Sequence, residues 1–233
     1  MPDGKPLPSA TFLIRKSAVA DLKALATSQK PSMSTTEPYI STHDADCALI
    51  WRTVMAARLE VGAIAPSDTT TFGMPIDGRT QLSPPLPADF LGNLAVCFKI
   101  GESVQNLVAP ERLGAAAFQI HAGVKRVDDT YLKNFIALLQ QVPDVGQVLI
   151  DCLENIKTTG LFLTSWTKFD YAVLKWGDRF GDCEVSKWWV YEWHCHCFPP
   201  VEIWGLGGFI DAGGNGDEAF REDETWKRFA SVE

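Results

Sequence analysis

A chain of 233 residues, 46% hydrophobic and 21% charged, has enough apolar material for a sizeable core, and its composition excludes the disordered and fibrous classes. A formal net charge of −8 argues against binding to a nucleic-acid backbone, because such proteins present a basic face. No apolar run approaches the ~20 residues of a membrane-crossing helix, and the opening "MPDGKPLPSA" has neither the basic nor the apolar region of a secretory leader, so a soluble, cytoplasmic protein is expected.

In chain order, "ATFLIRK" (residues 10–16) reads as a strand. "AVADLKALATS", after Ser17, reads as a short helix because its apolar residues recur at helical spacing. The polar loop "QKPSMSTTEP" leads to "YISTHDADCALIWRTVMAARLEV", which carries the clearest helix of the chain. Cys47, Ile50, Trp51, Val54, Met55 and Leu59 share one of its faces, and Ser41 with Asp44 forms a capping box for the first free amides. "TTTFGMPIDGR" is a strand that ends at an Asp-Gly turn. Pro84, Pro85 and Pro87 remove backbone donors and fix φ, so Leu82 to Pro87 should form an ordered, extended crossing rather than a helix or an inner strand. The strand "LGNLAVCFKI" follows it.

Pro110 opens a helix through about Val124, Asp128 caps another through about Gln141, and "DVGQVLIDCLENI" reads as a third. "LFLTSW", "KWWVYEWHCHCF" and "VEIWGLGGFID" are strand-like. The acidic "GDEAFREDETWKRFA" closes the chain as an amphipathic helix anchored by Phe220, Trp226 and Phe229. With no internal repeat and no linker, residues 1–233 read as a single domain of the α+β class, a mixed sheet with packed helices.

His194-Cys195-His196-Cys197 invites a metal reading, but alternate residues of a strand face opposite sides, so four adjacent ligands do not close one tetrahedron. Completion by Cys183 or His121 would be needed, and a structural strand is preferred; no metal is expected. The six cysteines, at positions 47, 97, 152, 183, 195 and 197, include no pair at C-x-x-C spacing and read as reduced, buried thiols. No G-x-S-x-G elbow, P-loop or G-x-G-x-x-G is present.

Four stretches, taken in order, carry a resemblance: "YISTHDADCALIWRTVMAAR", "IDGRTQLSPPLPADFLGN", "LFLTSW" and "YAVLKWGDRFG". Together they resemble the carboxyl-terminal half of the BAHD acyltransferases, in particular fungal members of the trichothecene 3-O-acetyltransferase type. The resemblance implies one half of a CoA-dependent, chloramphenicol acetyltransferase-like fold. It implies transfer of an acyl group, acetyl in the first instance, from acyl-CoA to a hydroxyl of a fungal secondary metabolite, with no tightly bound cofactor. Carried over by position, Gly92, Asn93, Thr164, Ser165 and Trp166 would line the channel in which acyl-CoA meets the alcohol. Asp44, Arg79, Trp176, Gly177 and Asp178 would be structural. The alternative is that all five are simply turn and core residues, and for Gly92 the two readings weigh equally.

Ester formation needs a base for the acceptor proton and donors for the oxyanion. The family's base is the His of a His-x-x-x-Asp-Gly motif, whereas His43, His121, His194 and His196 are followed four positions later by Cys47, Lys125, Phe198 and Pro200. The chain therefore resembles a half lacking the amino-terminal domain and its base, and by itself it is expected to be inactive, with His43 as a weak substitute. Lys175 stands where the family places an Asp that pairs with the arginine equivalent to Arg79, so Asp178, or else Asp170, is expected to take over that pairing. Expected partners are acyl-CoA, a small alcohol, and a separate amino-terminal half or a second copy meeting an exposed apolar face. The alternative is a non-catalytic binding module or docking partner derived from such an enzyme.

Overall fold

The computed structural model describes residues 9–10, 14–29, 39–144, 148, 158–165, 193–194 and 205–206. All of them fall in the larger of the two units into which the chain divides, residues 1–170 with 189–208.

Strand β1 (Ser9–Ala10) pairs in parallel with β7 (Gly205–Leu206). Lys16, expected at the end of the first strand, instead opens helix α1 (Lys16–Ser28). Helix α2 (Thr42–Glu60) begins as the sequence predicts, at Ser41, whose hydroxyl accepts the Asp44 amide while the Asp44 carboxylate accepts the Ser41 amide. Cys47, Trp51 and Met55 are buried on the expected face, but Arg58 rather than Leu59 continues it. The Arg58 guanidinium donates to the carbonyls of Thr158 (3.0 Å) and Gly160 (2.7 Å), which makes its burial affordable and ties α2 to the strand those residues enter.

A three-stranded sheet in the order β3-β2-β4 lies against α2 and against a later helix, α4 (Leu113–Lys125). Strand β2 (Thr69–Asp77) is central, pairing antiparallel with β3 (Ala95–Ser103) and in parallel with β4 (Gly160–Phe162). Period-2 alternation puts Phe72, Met74 and Ile76 on the buried face, opposite Ile100, Phe98 and Val96. Trp51 of α2 packs on Phe72 with ring centroids 5.5 Å apart, and its indole N–H donates to Thr70 Oγ1 at 2.9 Å. That hydroxyl in turn donates to the Thr159 carbonyl at 2.6 Å, so a buried polar chain fixes where β4 enters.

The β2–β4 ladder ends for a reason legible in the sequence. Thr71 N–H donates to the Thr159 carbonyl and Leu163 N–H to the Gly73 carbonyl. The next bond in this alternation needs an amide on Pro75, which has none. The chain leaves the sheet there, and β5 (Thr164–Ser165) pairs antiparallel with β6 (Trp193–His194) instead.

Beyond β2 a 3-10 turn (Gly78–Thr80) leads into the proline crossing, which is neither helix nor strand, as expected. Its course is held from α5 (Asp129–Leu139): Asp129 accepts the Ser83 amide at 2.8 Å, and Lys133 donates to the Ser83 carbonyl at 3.3 Å. The following strand starts at Ala95, later than "LGN" suggested, because the Asn93 side chain accepts the Ala95 amide at 2.9 Å and turns the backbone first.

The helix expected from Pro110 begins later. A short helix, α3 (Val104–Val108), comes first, capped by Ser103; Ala109 is then extended, as a residue before proline must be, and Glu111 adopts φ of 57°. That left-handed residue blocks a helix at Pro110, so α4 runs from Leu113 to Lys125. Glu102 gathers this region, accepting from Gln119 (3.0 Å), Ser103 N–H (2.9 Å) and Asn106 (3.3 Å). Partial burial raises its pKa, but these hydrogen bonds and Arg112 outweigh burial and bring it below the usual range. Asp128 caps α5, as predicted. The helix expected over 144–156 lies outside the described residues apart from Asp144 and Val148, and the closing helix lies wholly outside them. Among the described residues no helix is long and apolar enough to cross a membrane.

Candidate functional site

Two sets of sequence-derived positions lie on either side of β2. Asn93 lies two residues before Ala95, and Ala95 pairs with Asp77, the last residue of β2. Thr164 and Ser165 follow Leu163, which hydrogen-bonds to Gly73, and then leave β2 to pair with β6. Both side chains are half-buried, whereas Gly92 and Asn93 are exposed. The Phe90 ring lies over Gly92 so closely that a Cβ there would overlap it. Asn93 thus lies beside the last residue of β2, on the β3 side, and Thr164–Ser165 lie just past the point at Gly73 where β4 stops pairing on the other side. Trp166, Trp176, Gly177 and Asp178 lie outside the described residues, as do Asp170 and Lys175. His194 is strand, paired with Thr164, and Cys195, His196, Cys197 and Cys183 are outside the described residues.

Arg79 holds Asp77, two residues before it: Nε donates to Oδ1 at 2.9 Å and to Oδ2 at 3.1 Å, Nη2 to Oδ2 at 2.7 Å, and the Arg79 amide to Oδ1 at 3.0 Å. Both side chains remain substantially exposed. Arg79, for which Asp178 is the expected partner, thus already has a local carboxylate in Asp77, and Asp178 lies outside the described residues.

The amino-terminal turn of α2 reaches the same strand. His43 is half-buried, its Nε2 lies 3.2 Å from Met74 Sδ, and Cys47 Sγ is 3.6 Å from the same nitrogen. It packs against β2 rather than facing solvent. Burial, followed by the negative charges of Asp44 and Asp46, pushes the Cys47 thiol well up, so it stays a neutral thiol and not a nucleophile.

Two acidic residues on this turn have opposite surroundings. Asp44, 3% exposed, is fully engaged: its Oδ2 accepts the Ser41 amide (2.8 Å), the Ser41 hydroxyl (2.7 Å) and His121 Nδ1 (2.9 Å). Asp46, 1% exposed, has no hydrogen-bond partner among the described residues on either carboxylate oxygen, and burial pushes its pKa up to about 7.

His121 and Asp44 form a pairing that the sequence reading did not find. They are 77 positions apart, on α4 and α2, and no local motif joins them. The His121 ring meets Tyr39 edge-on, with centroids 6.0 Å apart, and the Lys23 ammonium sits 5.1 Å from the centre of the Tyr39 ring. Lys23 in turn lines an open groove of about 650 Å³ with Lys16, Val19, Ala20, Thr27 and Thr42.

Comparison with known proteins identifies the chain. The model of the Transferase family matches residues 7–183. An eremophilane O-acetyltransferase of Penicillium rubens is 30% identical over 97% of this chain and 47% of its own length. Anthranilate N-benzoyltransferase protein 3 of Dianthus caryophyllus is 28% identical over 84% of this chain and 42% of its own. An enoyl-CoA isomerase/hydratase of Penicillium crustosum is 32% identical over 76% of this chain and only 20% of its own length. The chain spans less than half the length of each of these relatives. Among solved structures, TRI101 of F. graminearum complexed with ethyl coenzyme A superposes with a TM-score of 0.65 at 24% identity, covering 83% of this chain and 40% of that one. TRI101 of F. sporotrichioides complexed with coenzyme A and T-2 gives 0.63 at 23% identity, covering 86% of this chain and 43% of that one. These likenesses place the fold in the CoA-dependent acyltransferase class, and the matched span, which holds the proline crossing and the sheet it leads into, shows that the chain belongs to the Transferase family, the BAHD acyltransferases.

Proposed function

We propose that the chain acts as the carboxyl-terminal half of an acyl-CoA-dependent O-acyltransferase, forming one wall of the channel in which the thioester meets a hydroxyl of a fungal secondary metabolite. The observation that carries this reading is the family match over residues 7–183, a span that includes Asn93 beside the last residue of β2 and Thr164–Ser165 just beyond β4. Strand ends of this kind collect loops from several elements, and loops set substrate choice. The fungal O-acetyltransferase relative supports a hydroxyl as acceptor and acetyl as the transferred group. The coenzyme A in the TRI101 complexes supports acyl-CoA as co-substrate.

No His-x-x-x-Asp motif is present in these 233 residues. In this reading an amino-terminal half, on a separate chain or on the remainder of a longer one, supplies that base, and the exposed Phe90 and Leu91 of the crossing belong to the contact with it. The experiment is release of coenzyme A from acetyl-CoA in the presence of a panel of alcohols, with the chain alone and with the amino-terminal half of a related enzyme added. The expected result is a gain of about 10²-fold or more in the mixture over either part. A mixture that forms a complex yet turns over no faster than its parts would favour the alternative, a non-catalytic binding module.

A further inference from the structure

The segment that delivers Thr164 and Ser165 has a short ladder of its own. Strand β4 pairs with β2 over three residues, from Thr71↔Gly160 to Gly73↔Phe162, and the Leu163 amide on the Gly73 carbonyl is the bond that precedes Pro75. The hydrophobic pattern does little to set the register. Leu161, Phe162 and Leu163 are apolar in succession, so a slip of one residue would put one apolar side chain where another had been. In a strand such a slip turns every following residue to the opposite face. Here it would exchange the faces on which Thr164 and Ser165 leave the sheet.

The register is pinned just ahead of the strand, where three successive carbonyls are each held. Arg58, 5% exposed, donates from Nη1 to the carbonyls of Thr158 at 3.0 Å and Gly160 at 2.7 Å. The Thr159 carbonyl between them accepts the Thr70 hydroxyl at 2.6 Å and the Thr71 amide at 3.3 Å. Thr70 is itself fixed by the Trp51 indole at 2.9 Å, and Trp51 stands two turns before Arg58 on α2. Thr159 thus addresses β2 while its two neighbours address Arg58. Moved by one residue, the carbonyls would face the wrong donors, and a buried carbonyl without a donor costs more than a hydrogen bond gains. A three-residue ladder that could slip is therefore locked by one helix.

We propose that Arg58 is a positioning residue for acyl transfer: by fixing the register of β4 it decides how Thr164 and Ser165 are presented to the acyl acceptor. The inference rests on the acyltransferase reading, which makes those two residues part of the channel wall. Arg58 touches no reacting group in this account and acts only through the strand it holds.

The test compares the wild type with Arg58→Met and Arg58→Lys by two readouts. Amide hydrogen exchange of the purified full chain follows residues 158–165. Exchange there should quicken about 10-fold or more in Arg58→Met and by less in Arg58→Lys, which keeps the charge without the fork, while α4 and β3 stay protected. The second readout is transfer from acetyl-CoA to a panel of alcohols by each chain mixed with the amino-terminal half of a related enzyme. A smaller folded fraction lowers kcat/KM by one factor for every alcohol, whereas displaced wall residues change the factor from one alcohol to the next. The preference between two alcohols should shift about 10-fold in Arg58→Met and be partly restored in Arg58→Lys. Should Arg58→Met not fold, Arg58→Lys decides by the same two readouts. Unchanged exchange over 158–165, or a loss common to all alcohols, overturns this inference and leaves the acyltransferase reading standing. A wild-type mixture without turnover overturns the acyltransferase reading, and this inference with it.

Discussion

Asp46 is the residue whose environment conflicts most with its chemistry. Both its oxygens lack partners, and its pKa is raised from 3.8 to about 7 by burial. In the unfolded chain it ionises near 3.8 and in the folded chain near 7, so between those values the folded state binds more protons. Stability contributed by this site is therefore lost as pH rises through that window. Asp46→Asn removes the charge at nearly constant shape, and it should stabilise the protein by about 2–4 kcal/mol at pH 8 with little effect near pH 4. Thermal unfolding of both proteins over that range checks this, and a difference in Tm independent of pH would refute it. Asp44, two positions earlier, shows the contrast: three donors converge on one of its oxygens. The capping box was readable from the S-x-x-D spacing alone, whereas the third donor, His121, arrives from another helix and left no trace in the sequence near either residue.

Among the elements, α2 departs most instructively from a simple amphipathic helix. Besides the expected Cys47, Trp51 and Met55, it buries Asp44, Ala45, Asp46, Ala48 and Arg58, so it is covered around more than one face. A one-sided stripe was visible in the sequence, but the remainder depended on what packs on the other sides. Close packing of α4 on α1 is governed by Gly114: a Cβ there would run into the main chain of Ala26 and Gln29, which cannot swing aside as a side chain can. Gly114→Ala should therefore cost about 1–3 kcal/mol despite alanine's better helix propensity. A chemical-denaturation midpoint equal to or above that of the wild type would show that α1 and α4 separate freely. The end of β4 pairing at Pro75 was in principle legible, since proline's missing amide is a property of one residue. Which strand it would fail to pair with was not, because β4 is nearly ninety positions away.

For the molecule as a whole, the chain spans less than half the length of its curated relatives, and the segment after its crossing presents Leu91 fully exposed and Phe90 39% exposed. Clustered exposed apolar side chains mark association surfaces more often than they stabilise a monomer. Leu91→Asp should leave thermal stability within about 0.5 kcal/mol, because the side chain has no burial to lose. It should also weaken complementation by an amino-terminal half and any self-association of the chain. Analytical ultracentrifugation with and without the added half provides the measurement, and unchanged assembly would move the contact away from the crossing.

The sequence by itself determined the local features: the Ser41–Asp44 cap, the Asp128 cap, the alternation of β2 and β3, the extended proline crossing, and the ordered motifs that identify the family. Each depends on residues within a turn or a strand of one another, where spacing is geometry. The delay of α4 past Pro110 came from a left-handed Glu111 that no propensity favours. The Arg58 tether, the orphaned Asp46 and the His121–Asp44 pair were decided by tertiary structure. Those relations join positions far apart in the chain, and only packing of the helices on the sheet sets the distance between them.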